Sequence, residues 1–112
     1  KVVVSDLARS DMAEVIEDAF RYDRMVVAAP TYDAGLFPVM EDFLNHLKAK
    51  NYSNRKVGIV ENGTWAPMAA KKMTEILATL KNVTLAETVV TVKSTLSTES
   101  EAAMDKLVQE LV

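Results

Sequence analysis

Met25-Val26-Val27-Ala28-Ala29-Pro30, followed by Thr31-Tyr32-Asp33-Ala34-Gly35-Leu36-Phe37-Pro38, is the stretch on which the fold turns. Its solidly apolar start lacks the alternation of a half-exposed strand, so it suits a strand covered by helices on both faces of a parallel sheet. The run stops at Pro30, because proline has no N–H to give to a ladder. The glycine-containing segment beyond reads as a loop. Pro38 fits the first turn of a helix, where the missing N–H has no intrahelical partner to lose. Val39, Met40, Phe43, Leu44 and Leu47 then recur at helical spacing, and the polar Asn51-Tyr52-Ser53-Asn54 closes the unit.

The same arrangement repeats on either side. Val57, Gly58, Ile59 and Val60 form an apolar run, followed by Glu61-Asn62-Gly63-Thr64-Trp65-Ala66-Pro67 and a helical face of Ala69, Met73, Ile76, Leu77 and Leu80. The run over residues 85–92 is interrupted by Thr88 and Thr91, as suits an edge strand with one wetter face. Thr98 with Glu101 is expected to cap a last helix bearing Met104, Leu107, Val108 and Leu111. Toward the amino end, Val2-Val3-Val4 reads as a first strand. Asp11 with Glu14 then looks like the capping box of a helix with Met12, Val15, Ile16, Ala19 and Phe20 on one face. Alternating strand and helix periods predict one α/β domain over residues 1–112, a parallel sheet of about four strands with helices on both faces.

Composition narrows the chemistry. A chain of 112 residues that is 49% hydrophobic and 26% charged is an ordinary globular domain. The absence of cysteine excludes thiolate zinc sites, iron-sulfur clusters, disulfides and a cysteine nucleophile, and a single histidine excludes a multi-histidine metal cage. A net charge of −3 gives no electrostatic reason to expect nucleic acid or an anionic membrane as partner. The chain opens at Lys1 without an initiator Met or an apolar leader, which reads as a cytoplasmic domain or a piece of something longer.

In open parallel sheets, ligands bind beyond the carboxyl ends of the strands. Two segments there combine glycine, hydroxyl or amide groups and an aromatic: Thr31, Tyr32, Asp33, Ala34 and Gly35, and Asn62, Gly63, Thr64, Trp65 and Ala66. Such segments can offer backbone N–H groups to a heterocycle, with Tyr32 and Trp65 as stacking surfaces. The alternative is that both aromatics simply cover the ends of the core.

These two segments resemble the ring-holding loops of flavodoxin-like domains, and more narrowly those of the flavodoxin-like domain of flavodiiron proteins (A-type flavoproteins), which reduce oxygen or nitric oxide. The resemblance rests on Pro30-Thr31-Tyr32, Gly35-Leu36-Phe37-Pro38 and the tryptophan-bearing Asn62-Gly63-Thr64-Trp65-Ala66. It departs from the family pattern at Asp33-Ala34 and at Asn62-Gly63-Thr64. It implies FMN as cofactor, electron transfer as function, and a redox protein or a di-iron lactamase-like domain as partner. It also implies that Asp33 and Glu61 lie near the ring and lower its potential. A chain with one histidine is not expected to hold the di-iron centre or to reduce oxygen alone.

The family's phosphate loop, between its first strand and first helix, has no counterpart here, so the resemblance implies a domain truncated at its amino end. Its open strand edge would then invite a partner or a second copy. A non-catalytic interaction module that no longer binds FMN is the alternative.

Other features read as structural. Ser94-Thr95-Leu96-Ser97-Thr98 precedes a helix but lacks glycine, and suits a cap better than a phosphate site. His46 sits on a helix flank with no nucleophile motif in view. Asp6, Asp33 and Lys93 only superficially match a phosphorelay receiver, since no adjacent acidic pair ends the first run. Asn51-Tyr52-Ser53, Asn62-Gly63-Thr64 and Asn82-Val83-Thr84 fit the N-glycosylation pattern by chance. The methionines fall mostly at helix-face positions and read as core filler.

Overall fold

The apolar run at the heart of the sequence forms strand β1 (Arg24–Tyr32), which pairs in parallel with β3 (Lys56–Asn62) so that Val27 lies beside Ile59. This computed structural model describes residues 2–32, 35–63, 68–93 and 98–112, and only the backbone of Thr31, Tyr32 and Gly35. Strand β3 pairs in parallel with β4 (Thr84–Val92), with an irregularity between Val57 and Ile59. A two-residue strand, β2 (Gly35–Leu36), returns antiparallel along the end of β1, and the sheet order is β2-β1-β3-β4. Strand β4 therefore sits at an edge, as its threonines imply.

Helices α1 (Met12–Arg21), α2 (Pro38–Ala49), α3 (Ala69–Leu77) and α4 (Thr98–Leu111) complete the described elements. Alternation along β3 shows how they divide between the two faces. Val57 and Ile59 join the main core with Phe43, Leu44 and Leu47 of α2 and Met73 and Leu77 of α3. Gly58 faces the other way, against Leu107 and Leu111 of α4, and Val60 packs in the smaller cluster that α4 forms with Val90. Side chains with period two thus send successive residues to opposite layers.

Local chemistry explains the boundaries. The Asp11 carboxylate accepts from the Ala13 N–H at 2.9 Å and caps α1. Pro38 occupies the first position of α2. Asn51, Asn54 and Asn82 have φ of 60°, 58° and 55°, a left-handed conformation that asparagine tolerates better than most residues. Two of the three glycosylation-like tripeptides, those starting at Asn51 and Asn82, are accounted for in this way.

Three expectations need correction. Val2-Val3-Val4 is not a strand: Val2 and Val4 are 85% and 89% exposed, and no ladder partner reaches them among the described residues. β-branched residues favour extension, but a strand is held by its neighbours. The sheet still counts four strands, the unforeseen one being β2. Second, β1 does not stop at Pro30 but continues to Tyr32. Proline is tolerated inside a strand where its nitrogen faces an unpaired edge, and β1 has such an edge at that position. Third, Thr98 lies inside α4 rather than capping it.

Gly58 admits α4 against the sheet. A Cβ there would stand 2.9 Å from Leu107 Cδ1 and 3.1 Å from Leu111 Cδ1. Gly58→Val is expected to destabilise the fold by about 1–3 kcal/mol through overpacking. A lowered denaturation midpoint and faster amide exchange in α4 would check this, and an unchanged midpoint would contradict it.

Candidate functional site

The parallel register levels the carboxyl ends of the three long strands. Pro30 lies beside Asn62 and Asn62 beside Val92, and the Gly63 N–H donates to the Val92 carbonyl at 3.0 Å. The segments following β1 and β3 therefore leave from the same end of the sheet. Thr31, Tyr32 and Gly35 from the first segment and Asn62 and Gly63 from the second are brought together in this way. Asp33, Ala34, Thr64, Trp65 and Ala66 fall outside the described residues. Tyr32 pairs with Gly35 and Thr31 with Leu36, so the first segment is a short antiparallel return, not an open loop. Part of its backbone hydrogen bonding is committed to that ladder. Asn62 is exposed and Gly63 half-buried at this end.

Glu61, the residue before Asn62, is only 7% exposed. Its Oε1 accepts from the Ala70 N–H at 3.1 Å, and its Oε2 accepts from the Thr91 hydroxyl at 2.7 Å. One carboxylate thus ties the end of β3 to the amino end of α3 and to β4. The sequence reading placed Glu61 near a ring and missed this tie. The usable signal was an acid ending a strand shortly before a helix whose own N-cap, Met68, offers no capping side chain.

Electrostatics decide whether the described helix starts suit a phosphate. A phosphate favours a helix amino end with free N–H groups and no competing anion. Here α1 begins with Asp11 and Glu14, α2 has Pro38 and Glu41 in its first turn, α3 receives the Glu61 carboxylate, and α4 has Glu99 and Glu101 in its first turn. Acids at all four described helix starts disfavour a phosphate there. The described residues therefore do not build a phosphate cradle at these helix starts. The Ser94 to Ser97 stretch lies outside the described residues.

The remaining candidates have ordinary surroundings. His46 is exposed, with Nε2 3.6 Å from Asp42 Oδ1 one turn earlier. Asp6 accepts from the Ala8 N–H at 3.0 Å and lies 3.8 Å from Arg9. Glu17 pairs with Arg21 at 3.1 Å, as their spacing anticipates. Among the described residues no group of three or more His, Cys, Asp or Glu could hold a metal ion. No described helix is long and apolar enough to cross a membrane.

No protein-family model matches this chain, and no curated protein matches it by sequence. Among solved structures, rubredoxin oxygen:oxidoreductase from the anaerobe Desulfovibrio gigas superposes with a TM-score of 0.74 at 18% sequence identity. The match covers 89% of this chain and 31% of that one, so this chain spans about a third of the length of its structural neighbour. At this identity the likeness is one of fold. The fold is α/β and flavodoxin-like.

Proposed function

We propose that this chain is the electron-transfer, FMN-type part of an oxidoreductase, similar to the flavodoxin-like part of flavodiiron oxygen or nitric oxide reductases, and that a flavin ring lies at the carboxyl end of its sheet. The observation that carries this reading is the register of Pro30 with Asn62, which sets the two motif segments side by side. Backbone groups of Thr31, Tyr32, Asp33, Ala34 and Gly35, and of Asn62, Gly63, Thr64 and Ala66, would hold the ring edge. Tyr32 and Trp65 would flank its faces. The bound flavin supplies the redox chemistry, while the chain orients it and adjusts its charge environment. A redox protein or a di-iron domain would complete the electron path, in keeping with one histidine and no cysteine in this chain.

Because acids occupy the described helix starts, the phosphate should contribute little to affinity. Titration with FMN and with riboflavin, read by flavin fluorescence, is expected to give dissociation constants within about threefold of each other, a difference well below 1.4 kcal/mol. FMN binding tighter by about tenfold or more would contradict the phosphate argument. Failure of both flavins to bind would overturn the proposal in favour of a non-catalytic interaction module.

A further inference from the structure

No asparagine in the sequence other than Asn62 is followed by glycine, and Asn62-Gly63 stands at the end of β3. Such a pair is chemically self-reactive. Once deprotonated, the Gly63 nitrogen can attack the Asn62 side-chain carbon Cγ and close a cyclic imide, and glycine allows this more readily than other residues because no Cβ crowds the approach.

The fold restrains that reaction in two ways. Asn62 pairs with Pro30 of β1 and Val92 of β4, and an extended backbone turns the following nitrogen away from the residue's own side chain. The Gly63 N–H also donates to the Val92 carbonyl at 3.0 Å, so the proton that must leave is held. Both restraints lie at the last rungs of the ladder, where local opening costs least. Glu61 anchors those rungs, because its buried carboxylate accepts from the Ala70 N–H at 3.1 Å and from the Thr91 hydroxyl at 2.7 Å. Asn62 itself is exposed, so water and base reach it when the rungs open.

We propose that Asn62 is a self-modification site, converted to aspartate and isoaspartate when the end of β3 opens, and that the Gly63 to Val92 hydrogen bond and the Glu61 tie behind it set the rate. The reaction belongs to the chain's own backbone and stands whether or not the chain binds flavin. Hydroxide takes the Gly63 N–H proton, the nitrogen bonds to Asn62 Cγ, and the bond from Cγ to Nδ2 breaks, releasing ammonia after it takes a proton from water. Water then opens the imide. Cleavage between the nitrogen and Cγ restores the backbone with an aspartate side chain, whereas cleavage at the main-chain carbonyl carbon leaves isoaspartate, with the chain running through Cβ and Cγ. Nothing is oxidised or reduced. Either product sets a carboxylate beside the buried Glu61. Isoaspartate also lengthens the backbone, so the pairings with Pro30 and Val92 and the Gly63 hydrogen bond cannot all be kept.

The test follows the full chain at mildly alkaline pH, folded and in guanidinium chloride. Peptide mass analysis reads the replacement of NH2 by OH at residue 62, an isoaspartyl methyltransferase reads the isoaspartate share, and amide exchange reads the opening of Gly63. Exchange and imide formation both need the Gly63 N–H to open and lose its proton. Folding should therefore slow deamidation about tenfold or more, and at least as much as it slows exchange at Gly63. Thr91→Val leaves the sequence around Asn62 intact and removes one of the two groups that hold Glu61, so it should speed both processes about threefold in the folded chain and leave the denatured rate unchanged. Unchanged protection at the buried Val27 and Ile59 shows that the variant is folded, and Glu61→Gln is a second variant with the same expected direction.

Equal deamidation rates in the folded and denatured chain would overturn the proposal, as would no reaction at residue 62 in either state. So would deamidation at the wild-type rate in the folded variants. Aspartate without isoaspartate would also overturn it, since direct hydrolysis of the side chain gives aspartate alone.

Discussion

Replacing Tyr52 with alanine is expected to lower stability by about 3–5 kcal/mol, a large part of the 5–15 kcal/mol that holds a typical domain together. Tyr52 follows α2 and is fully buried. Its ring meets Phe20 of α1 edge-on, with centroids 5.3 Å apart and planes at 84°. The Arg55 guanidinium lies 5.2 Å from the Tyr52 ring centroid and 5.6 Å from that of Phe20. Arg55 also donates to the Phe20 carbonyl at 2.7 Å, the Ser53 carbonyl at 2.6 Å and the Tyr22 carbonyl at 3.3 Å. One tyrosine thus seats the cation that satisfies carbonyls at the carboxyl end of α1. Removing the ring opens a cavity and loosens that clamp together.

Tyr52→Phe separates packing from the hydroxyl. Among the described residues the phenol oxygen reaches only the Met25 sulfur, at 4.0 Å, a weak contact, so this variant should cost less than about 1 kcal/mol. Its signature is alkaline. Burial pushes the Tyr52 phenol from 10.0 up to about 12, because the anion is disfavoured away from water. The folded chain then keeps a proton that the unfolded chain gives up. Stability is unaffected by this group below pH about 10 and falls as the pH rises toward about 12. Denaturant midpoints measured across that window should decline more steeply in the wild type than in Tyr52→Phe. Parallel declines would show that Tyr52 is not the titrating group.

The legibility of the fold followed the length and burial of each run. Residues 57–60 are apolar without interruption and sit between two layers, as such a run implies, whereas β1 departs from the expectation of cover on both faces: Val27 and Ala29 are buried but Val26 and Ala28 are exposed. Val2-Val3-Val4 has the same local character but no ladder, and nothing in three valines records whether a neighbour exists. The short β2 was hidden for a similar reason, since Gly35-Leu36 carries no strand propensity and is held by its pairing with Thr31 and Tyr32. At the candidate site, the motif glycines and aromatics were visible as residue types. The role of Glu61 was not, because its two partners lie nine and thirty residues away, on α3 and β4.

Glu61 carries the second large effect. Glu61→Ala is expected to cost about 3 kcal/mol, since it removes two hydrogen bonds to a charged acceptor and leaves the buried Ala70 N–H without its partner. Glu61→Gln should cost nearer 1 kcal/mol, because the amide oxygen can still accept from Ala70 while the charge that complements the start of α3 is lost. The contrast is local as well as global. Amides in the first turn of α3 should exchange faster in Glu61→Ala than in Glu61→Gln, while those of α1, on the far side of the core, should follow the global stability alone. Since Asn62 and Gly63 follow Glu61 directly, a frayed α3 start also leaves the carboxyl end of β3 less fixed. Under the proposed function, flavin affinity should then fall in the alanine variant beyond what Tyr52→Phe produces. Equal stability of the alanine and glutamine variants would show that the acceptor at Ala70 is not what holds this end of the sheet together.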